Sequence, residues 1–229
     1  IQNAARNAME WFEETGRYTN MPPEQFNFSL LTRSQRISHD NLRVRDADYI
    51  ATYDKWFATK AFADAGLELP TNVENIPPMF TPFKLRDVVL KNRVVVSPMA
   101  QYSSVDGLAD DYHLVHLGAR AMGGAGMVFT EMTCVSADAR ITPGCPGLYK
   151  PEHTIGWKRI VDFVHLNSDA KIAVQIGHAG AKGATKLAWD GIDKPVETGS
   201  WSLISASPEQ YLAGVSQTSR EMTRGDMDR

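Results

Sequence analysis

Gln175 is an amide inside an apolar run, between Val174 and Ile176. A buried amide needs hydrogen-bond partners. Either neighbouring backbone supplies them, or a ligand edge that offers both a donor and an acceptor. Tyr102 follows the run Val94, Val95, Val96, Ser97 and Pro98. A phenol can hydrogen-bond a carbonyl oxygen while its ring lines an apolar pocket. The alternative for Tyr102 is a loop tyrosine packed on a rim. His113 and His116 stand at i, i+3 spacing, which suits two ligands on one helix face, but a third ligand is missing nearby, so a metal site is not expected. His178, in His-Ala-Gly, reads as a loop organiser rather than an acid or base. Arg140 and Lys182 are cations in loops, open to an anionic substrate or to solvent. Glu131 is either a buried carboxylate or a loop residue and receives no role. It has no partner carboxylate of the kind a barrel hydrolase would pair at its strand ends.

The elements that must position these residues alternate in type. Residues 94–96 are a β-branched run without a turn former, which reads as a strand buried on both faces, as in a parallel sheet. Pro98, lacking an N–H, stops it. Ala100 and Tyr102 then fall at its carboxyl end, where α/β folds place ligands. Asp110 or Asp111 caps a helix through Ala121, closed by Gly123-Gly124. Residues 126–130 are a second strand. Residues 151–167 are a second helix with Trp157, Ile160, Val161 and Val164 on one stripe. Residues 171–176 are a third strand. The order β-α-β-α-β begins a parallel α/β fold with right-handed connections. Residues 181–222 contain Gly191, Pro195, Gly199, Pro208, Gly214, Trp189 and Trp201, and read as a lid or as a disordered connection. Thr223 with Asp226 makes a capping-box pattern at the start of a further helix.

Upstream, residues 3–14 carry Ala4, Ala5, Ala8, Met9, Trp11 and Phe12 on one helical face. Pro23-Glu24 opens a second helix with Phe26, Leu30 and Leu31. Asp46 caps a third, bearing Tyr49, Ile50, Tyr53, Trp56, Phe57 and Lys60, and Gly66 ends it. The proline-punctuated residues 69–78 form a linker. These helices lack any phosphate-binding glycine pattern and read as a packing arm.

Composition narrows the function. The 229 residues suffice for one large or two small domains, and 43% hydrophobic content supports a sizeable core. A formal net charge of −3 argues against a nucleic-acid partner. No run is apolar enough to span a membrane and no signal peptide precedes the helices, so no membrane partner is expected. Cys134 and Cys145 are the only cysteines, too few for a disulfide framework, which points to a reducing, cytoplasmic compartment. The chain starts at Ile1 without methionine and stops inside a helical first turn; a segment of a longer polypeptide is expected.

Three segments carry a family resemblance. "F-T-P-F-K-L" with "L-K-N-R-V-V-V-S-P-M-A-Q-Y-S-S", then "F-T-E-M-T-C-V" with "A-R-I-T", then "A-V-Q-I-G-H-A-G-A-K" resemble, in order, the first three barrel strands of the old yellow enzyme family of FMN-dependent oxidoreductases. The resemblance implies the N-terminal part of a (β/α)8 TIM barrel, about three strands, preceded by an α-helical segment. It places residues 1–76 in the helical segment and 77–229 in a partial FMN-binding barrel. It implies FMN contacts from Ser97, Pro98, Met99 and Ala100 along the flavin, from Met132 through its backbone, and from Gln175 at the pyrimidine edge. Ala100 departs from the family, which usually has Cys or Thr there, and Met132 stands where a small residue is usual. Tyr102 is the expected substrate contact. The family's catalytic residues, a carbonyl-binding histidine pair and a proton-donating tyrosine, lie on later strands, so no catalytic residue is assigned within these residues.

A second resemblance concerns the start of the chain. "I-Q-N-A-A-R-N-A-M-E-W-F-E" and "S-Q-R-I-S-H-D-N-L-R-V-R-D" look like the tail of FAD-dependent aromatic hydroxylases, above all the bifunctional aromatic acyl-CoA monooxygenases of the salicylyl-CoA 5-hydroxylase and anthraniloyl-CoA monooxygenase type. This implies an FMN- and NAD(P)H-dependent ene-reductase-type half behind an FAD-dependent monooxygenase half. The partners it implies are a small-molecule substrate, an aromatic acyl-CoA among the candidates, and a second copy of the chain in a homo-oligomer. The competing expectation is an inactive barrel fragment serving as a structural platform.

Overall fold

The computed structural model describes residues 47–71 and 76–228. The helices expected at 3–14 and from Pro23, the Asp46 cap and both segments resembling the aromatic hydroxylases lie outside the described residues. The chain divides between Val94 and Val95 into two compact units.

In the first unit, α1 spans Ala47–Ala65. Its buried positions are Asp54, Ala58, Ala61 and Ala65, one stripe at helical spacing, while Trp56 is exposed. The expected stop at Gly66 is present: Gly66 takes φ 71°, Leu67 N–H donates to Phe62 O at 2.9 Å and Gly66 N–H to Ala63 O at 3.0 Å, a Schellman closure. A hairpin follows, β1 (Phe83–Leu85) against β2 (Val88–Leu90), antiparallel. It was not anticipated; its turn is only Arg86-Asp87, with Arg86 at φ 53°. The Arg93 guanidinium sits over the Phe57 and Phe83 rings, 4.9 Å from each centroid.

The second unit follows the expected β-α-β-α-β order. The strands are β3 (Val95–Val96), β4 (Met127–Cys134) and β5 (Lys171–Gly177), joined by helices α2 (Asp111–Met122) and α3 (Pro151–Asn167). They form one parallel sheet in the order β3-β4-β5. Asp110 caps α2, accepting from Tyr112 N–H, and Gly123 closes it. Pro151 occupies the first turn of α3, where its missing N–H costs nothing. Leu117 and Ala121 of α2, Ile160 and Val164 of α3 and Val128 of β4 are essentially sealed from solvent and make the core.

One expectation about the strands fails. Residues 94–96 were expected to be buried on both faces, yet Val95 is 43% exposed. Its strand is an edge of the sheet and has a neighbour on one side only. The stretch 181–222 is described throughout and holds a helical turn, α4 (Ala188–Gly191), and two short paired strands, β6 (Ile204–Ser205) and β7 (Arg220–Glu221). Ser219 Oγ meets Ser205 Oγ at 2.6 Å and donates to Glu209 O at 3.0 Å, which ties that excursion together. The capping box at Thr223 opens α5 (Arg224–Met227) as expected.

Candidate functional site

The carboxyl ends of β3, β4 and β5 lie side by side, and an irregularity in β4 decides what they present. Phe129 pairs with Ala173 and Met132 with Gln175, so Thr130 and Glu131 together oppose Val174 alone. This is a β-bulge, a device that re-aims side chains. Hydroxyls pin it. Thr130 Oγ1 donates to Glu131 O at 2.9 Å and accepts from Gln175 N–H at 3.2 Å, and Thr133 Oγ1 donates to the same carbonyl at 3.0 Å. The bulge sets Met132 beside Gln175 and sends the Glu131 carboxylate toward the end of β3.

There Glu131 makes the best-defined polar network of the unit. Its Oε2 accepts from Gln101 N–H at 2.8 Å and from Tyr102 N–H at 3.4 Å. Its Oε1 lies 3.0 Å from His113 Nε2. His113 Nδ1 is 3.0 Å from Asp110 Oδ1 and 3.2 Å from Asp110 N. Burial alone would lower the His113 pKa, but hydrogen bonds to Glu131 and Asp110 outweigh it and raise it. His113 thus lies between two carboxylates, and His116 stacks on Tyr112 with centroids 6.0 Å apart. Among the described residues no three His, Cys, Asp or Glu side chains converge as metal ligands. Sequence reasoning gave Glu131 no role, because its partners lie on a loop and a helix cap far along the chain. The one available signal was a carboxylate inside an apolar strand with a histidine in the preceding helix.

The other expected site residues are distributed as follows. Ser97, Met99 and Ala100 are exposed at the end of β3, Met99 at 67%. Gln101, which was not singled out, braces them: its Nε2 donates to Met99 O at 2.9 Å and its Oε1 accepts from Tyr112 O–H at 2.7 Å. Gln175 was expected as a buried amide and is exposed instead. The reason is again topological, since β5 is the other edge and Ile176 beside it is 62% exposed. Tyr102 takes the left-handed conformation, φ 52°, and packs on the buried cluster Cys134, Ala139 and Cys145. Burial foremost pushes its phenol pKa up. It faces a small cavity of about 100 Å³ with Ile141, Lys182 and Ile192. The structure thus brings Met132 and Gln175 together next to the strand end 97–100, and sets Tyr102 on the rim beyond it. Both cysteines are free and buried.

A larger cavity, about 950 Å³, opens past the ends of β4 and β5. Val135, Trp201, Ile204 and Met222 give it apolar walls, and Arg140 and His178 give it donors. The Arg140 guanidinium lies 4.4 Å from the Trp201 ring centroid and donates through Nε to Ala137 O at 2.8 Å. His178 Nδ1 accepts from Gly180 N–H at 3.0 Å, which leaves Nε2 as the protonated nitrogen of the neutral ring. The Asp226 carboxylate at its edge is engaged by Arg220 at 2.8 and 2.9 Å. Trp201 Nε1 is buried with no acceptor among the described residues. The cavity combines an aromatic platform with polar groups of both kinds, Arg140 and His178 as donors and Asp138 and Asp226 as acceptors.

The strand ends suit a flat, polar-edged group such as FMN. A side chain of one carbon at residue 100 leaves the backbone accessible, and at Gly177 an added Cβ would come within 2.8 Å of Met132 Cγ. The exposed Gln175 amide offers a donor and an acceptor beside that surface.

Comparison with known proteins agrees. Residues 78–228 match the NADH:flavin oxidoreductase / NADH oxidase family. An NADPH dehydrogenase of Bacillus cytotoxicus is 44% identical over 106 residues, covering 45% of this chain and 30% of the relative. An NADH:flavin oxidoreductase of Gibberella zeae is 36% identical over 154 residues, covering 66% of this chain and 37% of the relative. The chain thus spans about a third of the length of these curated relatives, 30% and 37%. Among solved structures, morphinone reductase in complex with tetrahydroNAD superposes with a TM-score of 0.55 at 23% identity, over 67% of this chain and 43% of that one. A 2-naphthoyl-CoA reductase complex with 2-naphthoyl-CoA gives 0.55 at 23%, over 66% of this chain and 23% of that one.

Proposed function

This chain belongs to the NADH:flavin oxidoreductase / NADH oxidase family, with the fold of the first part of an old yellow enzyme TIM barrel, and from that premise we propose that it forms one wall of an FMN site in an NAD(P)H-dependent oxidoreductase of ene-reductase type. The observation that carries the reading is the bulge-set pairing of Met132 with Gln175 beside the exposed strand end 97–100. When bound, FMN supplies two-electron hydride chemistry between a nicotinamide and an acceptor. The chain's own residues hold and orient. Ser97, Pro98, Met99 and Ala100 would lie along the flat group, Met132 would offer its backbone, and Gln175 would pair its amide with the polar edge. Tyr102, which lines the smaller cavity with Ile141, Lys182 and Ile192, would offer its phenol to a substrate oxygen reaching that side of the rim.

For the acceptor, the 950 Å³ cavity has room and an aromatic wall for a flat apolar body bearing oxygen acceptors. Trp201 would stack on the body and Arg140 and His178 would bind the oxygens. An aromatic acyl-CoA has this character; the 2-naphthoyl-CoA reductase structure holds 2-naphthoyl-CoA on the same fold. With the resemblance of residues 1–13 and 34–46 to aromatic hydroxylases, the finer reading is the reductase half of a bifunctional aromatic acyl-CoA monooxygenase whose preceding half uses FAD. The two free, buried thiols support a reducing, cytoplasmic compartment for it.

Replacing Gln175 tests the reading. Gln175→Leu removes both polar atoms at the flavin edge and should weaken FMN binding by roughly 1–3 kcal/mol. Unchanged FMN affinity would remove Gln175 from the site.

A further inference from the structure

We propose that Glu131 is a positioning residue: its carboxylate, paired with His113, fixes the Gln101–Tyr102 turn and so holds the backbone at Ala100 in the place the flavin reading needs. The proposal rests on that reading for its purpose, and on the network alone for its geometry.

Two successive N–H groups, of Gln101 and Tyr102, converge on one oxygen of Glu131. Such a concave pair of amides forms an anion nest. Here the anion comes from the chain itself, from the adjacent strand, delivered by the bulge in β4. Tyr102 sits at φ 52°, a conformation a tyrosine rarely adopts without support. The carboxylate side chain is 2% exposed and that of His113 is 3%, so each charge depends on the other. Three elements meet at this pair: the loop after β3, the bulge of β4 and the first turn of α2. Removing the carboxylate's charge therefore loosens the loop's hold on the sheet.

The arrangement carries a pH signature. His113 faces Glu131 from β4, Asp110 at its own helix cap, the Ser104 hydroxyl at 3.4 Å and the Trp157 ring of α3 at 5.9 Å, with His116 and Tyr112 on its own helix. Its pKa is raised against burial by the two carboxylates. The ionic part of the pair is thus present below the ordinary histidine range and is lost as pH rises through the raised value. FMN affinity should fall with it.

The test uses the complete protein in wild-type, Glu131→Gln and His113→Gln forms. Two quantities are read: hydrogen exchange at the amides of Gln101 and Tyr102 without added FMN, and the FMN dissociation constant across pH. Glu131→Gln should speed exchange at these amides and raise the dissociation constant, each by about tenfold. His113→Gln keeps a donor to Glu131 but cannot titrate, so its FMN affinity should stay level where the wild type loses affinity with rising pH. Exchange unchanged in Glu131→Gln would overturn the clamp. Faster exchange with unchanged FMN affinity and the same pH profile would overturn its purpose. A wild-type protein that binds no FMN would overturn the flavin reading and with it that purpose, while the exchange result would still decide the clamp.

Discussion

At residue 100 a single methyl group stands exposed past the end of β3, where the proposed site would hold the flavin. A hydroxyl there would donate to a flavin carbonyl that gains negative charge on reduction. It would stabilise the reduced form more than the oxidised one, by about 1.5–3 kcal/mol for a charge-assisted bond. For a two-electron couple about 1.4 kcal/mol corresponds to ~30 mV. Ala100→Thr should therefore raise the FMN potential by a few tens of millivolts, by roughly that conversion. Spectroelectrochemical titration of both proteins checks this, and an unchanged or lower potential at full FMN occupancy would show that residue 100 does not face the carbonyl. Gly144 bears on the same wall from behind. Any Cβ there would collide with the Tyr102 carbonyl, and Ser104 N–H donates to Gly144 O at 3.0 Å. Gly144→Ala should cost about 1–3 kcal/mol of stability through overpacking, read as a lower denaturant midpoint. A midpoint equal to wild type would mean the loop yields freely.

The elements themselves rest on local signals and on one helix–sheet core. Ile160 of α3 is 1% exposed, in a stripe with Trp157 and Val164. Ile160→Ala should destabilise the fold by about 2–5 kcal/mol, measured by chemical denaturation of the complete protein; a loss well under 1 kcal/mol would place this helix outside the core. The same helix shows what could be read in advance. Pro151 at its first turn, the stripe at helical spacing and a cap for α2 at Asp110 or Asp111 are decided within a few residues of themselves and were legible, and the structure selects Asp110. The exposure of Val95 and Gln175 was not, because it depends on how many strands flank β3 and β5. Glu131 was illegible for a different reason. Its function comes from a bulge that no pattern of alternation announces and from amides thirty residues earlier, as counted between Gln101 and Glu131. The residues proposed to face the flavin come from the family motifs; composition and periodicity alone left Gln175 and Tyr102 open between packing and binding.

For the molecule as a whole, the sheet order β3-β4-β5 leaves both outer strands with open edges, and Val174 at 46% and Ile176 at 62% carry exposed apolar surface. Unpaired edges of this kind recruit other chains. Expressed alone, residues 1–229 should self-associate and hold no flavin; a soluble monomer with a sharp thermal transition and bound FMN would refute this. In a closed barrel such edges would be paired. Among the described residues no helix is long and apolar enough to cross a membrane. The central claim is that these three strand ends hold FMN in an NAD(P)H-dependent oxidoreductase. The most direct measurement is the visible absorption spectrum of the purified complete protein before and after NADPH or NADH, with the released cofactor identified by mass after denaturation. The account expects FMN among the released cofactors and flavin bands that bleach on adding reduced nicotinamide without oxygen. A protein that releases no FMN after reconstitution, or whose FMN is not reduced by either nicotinamide, would contradict it.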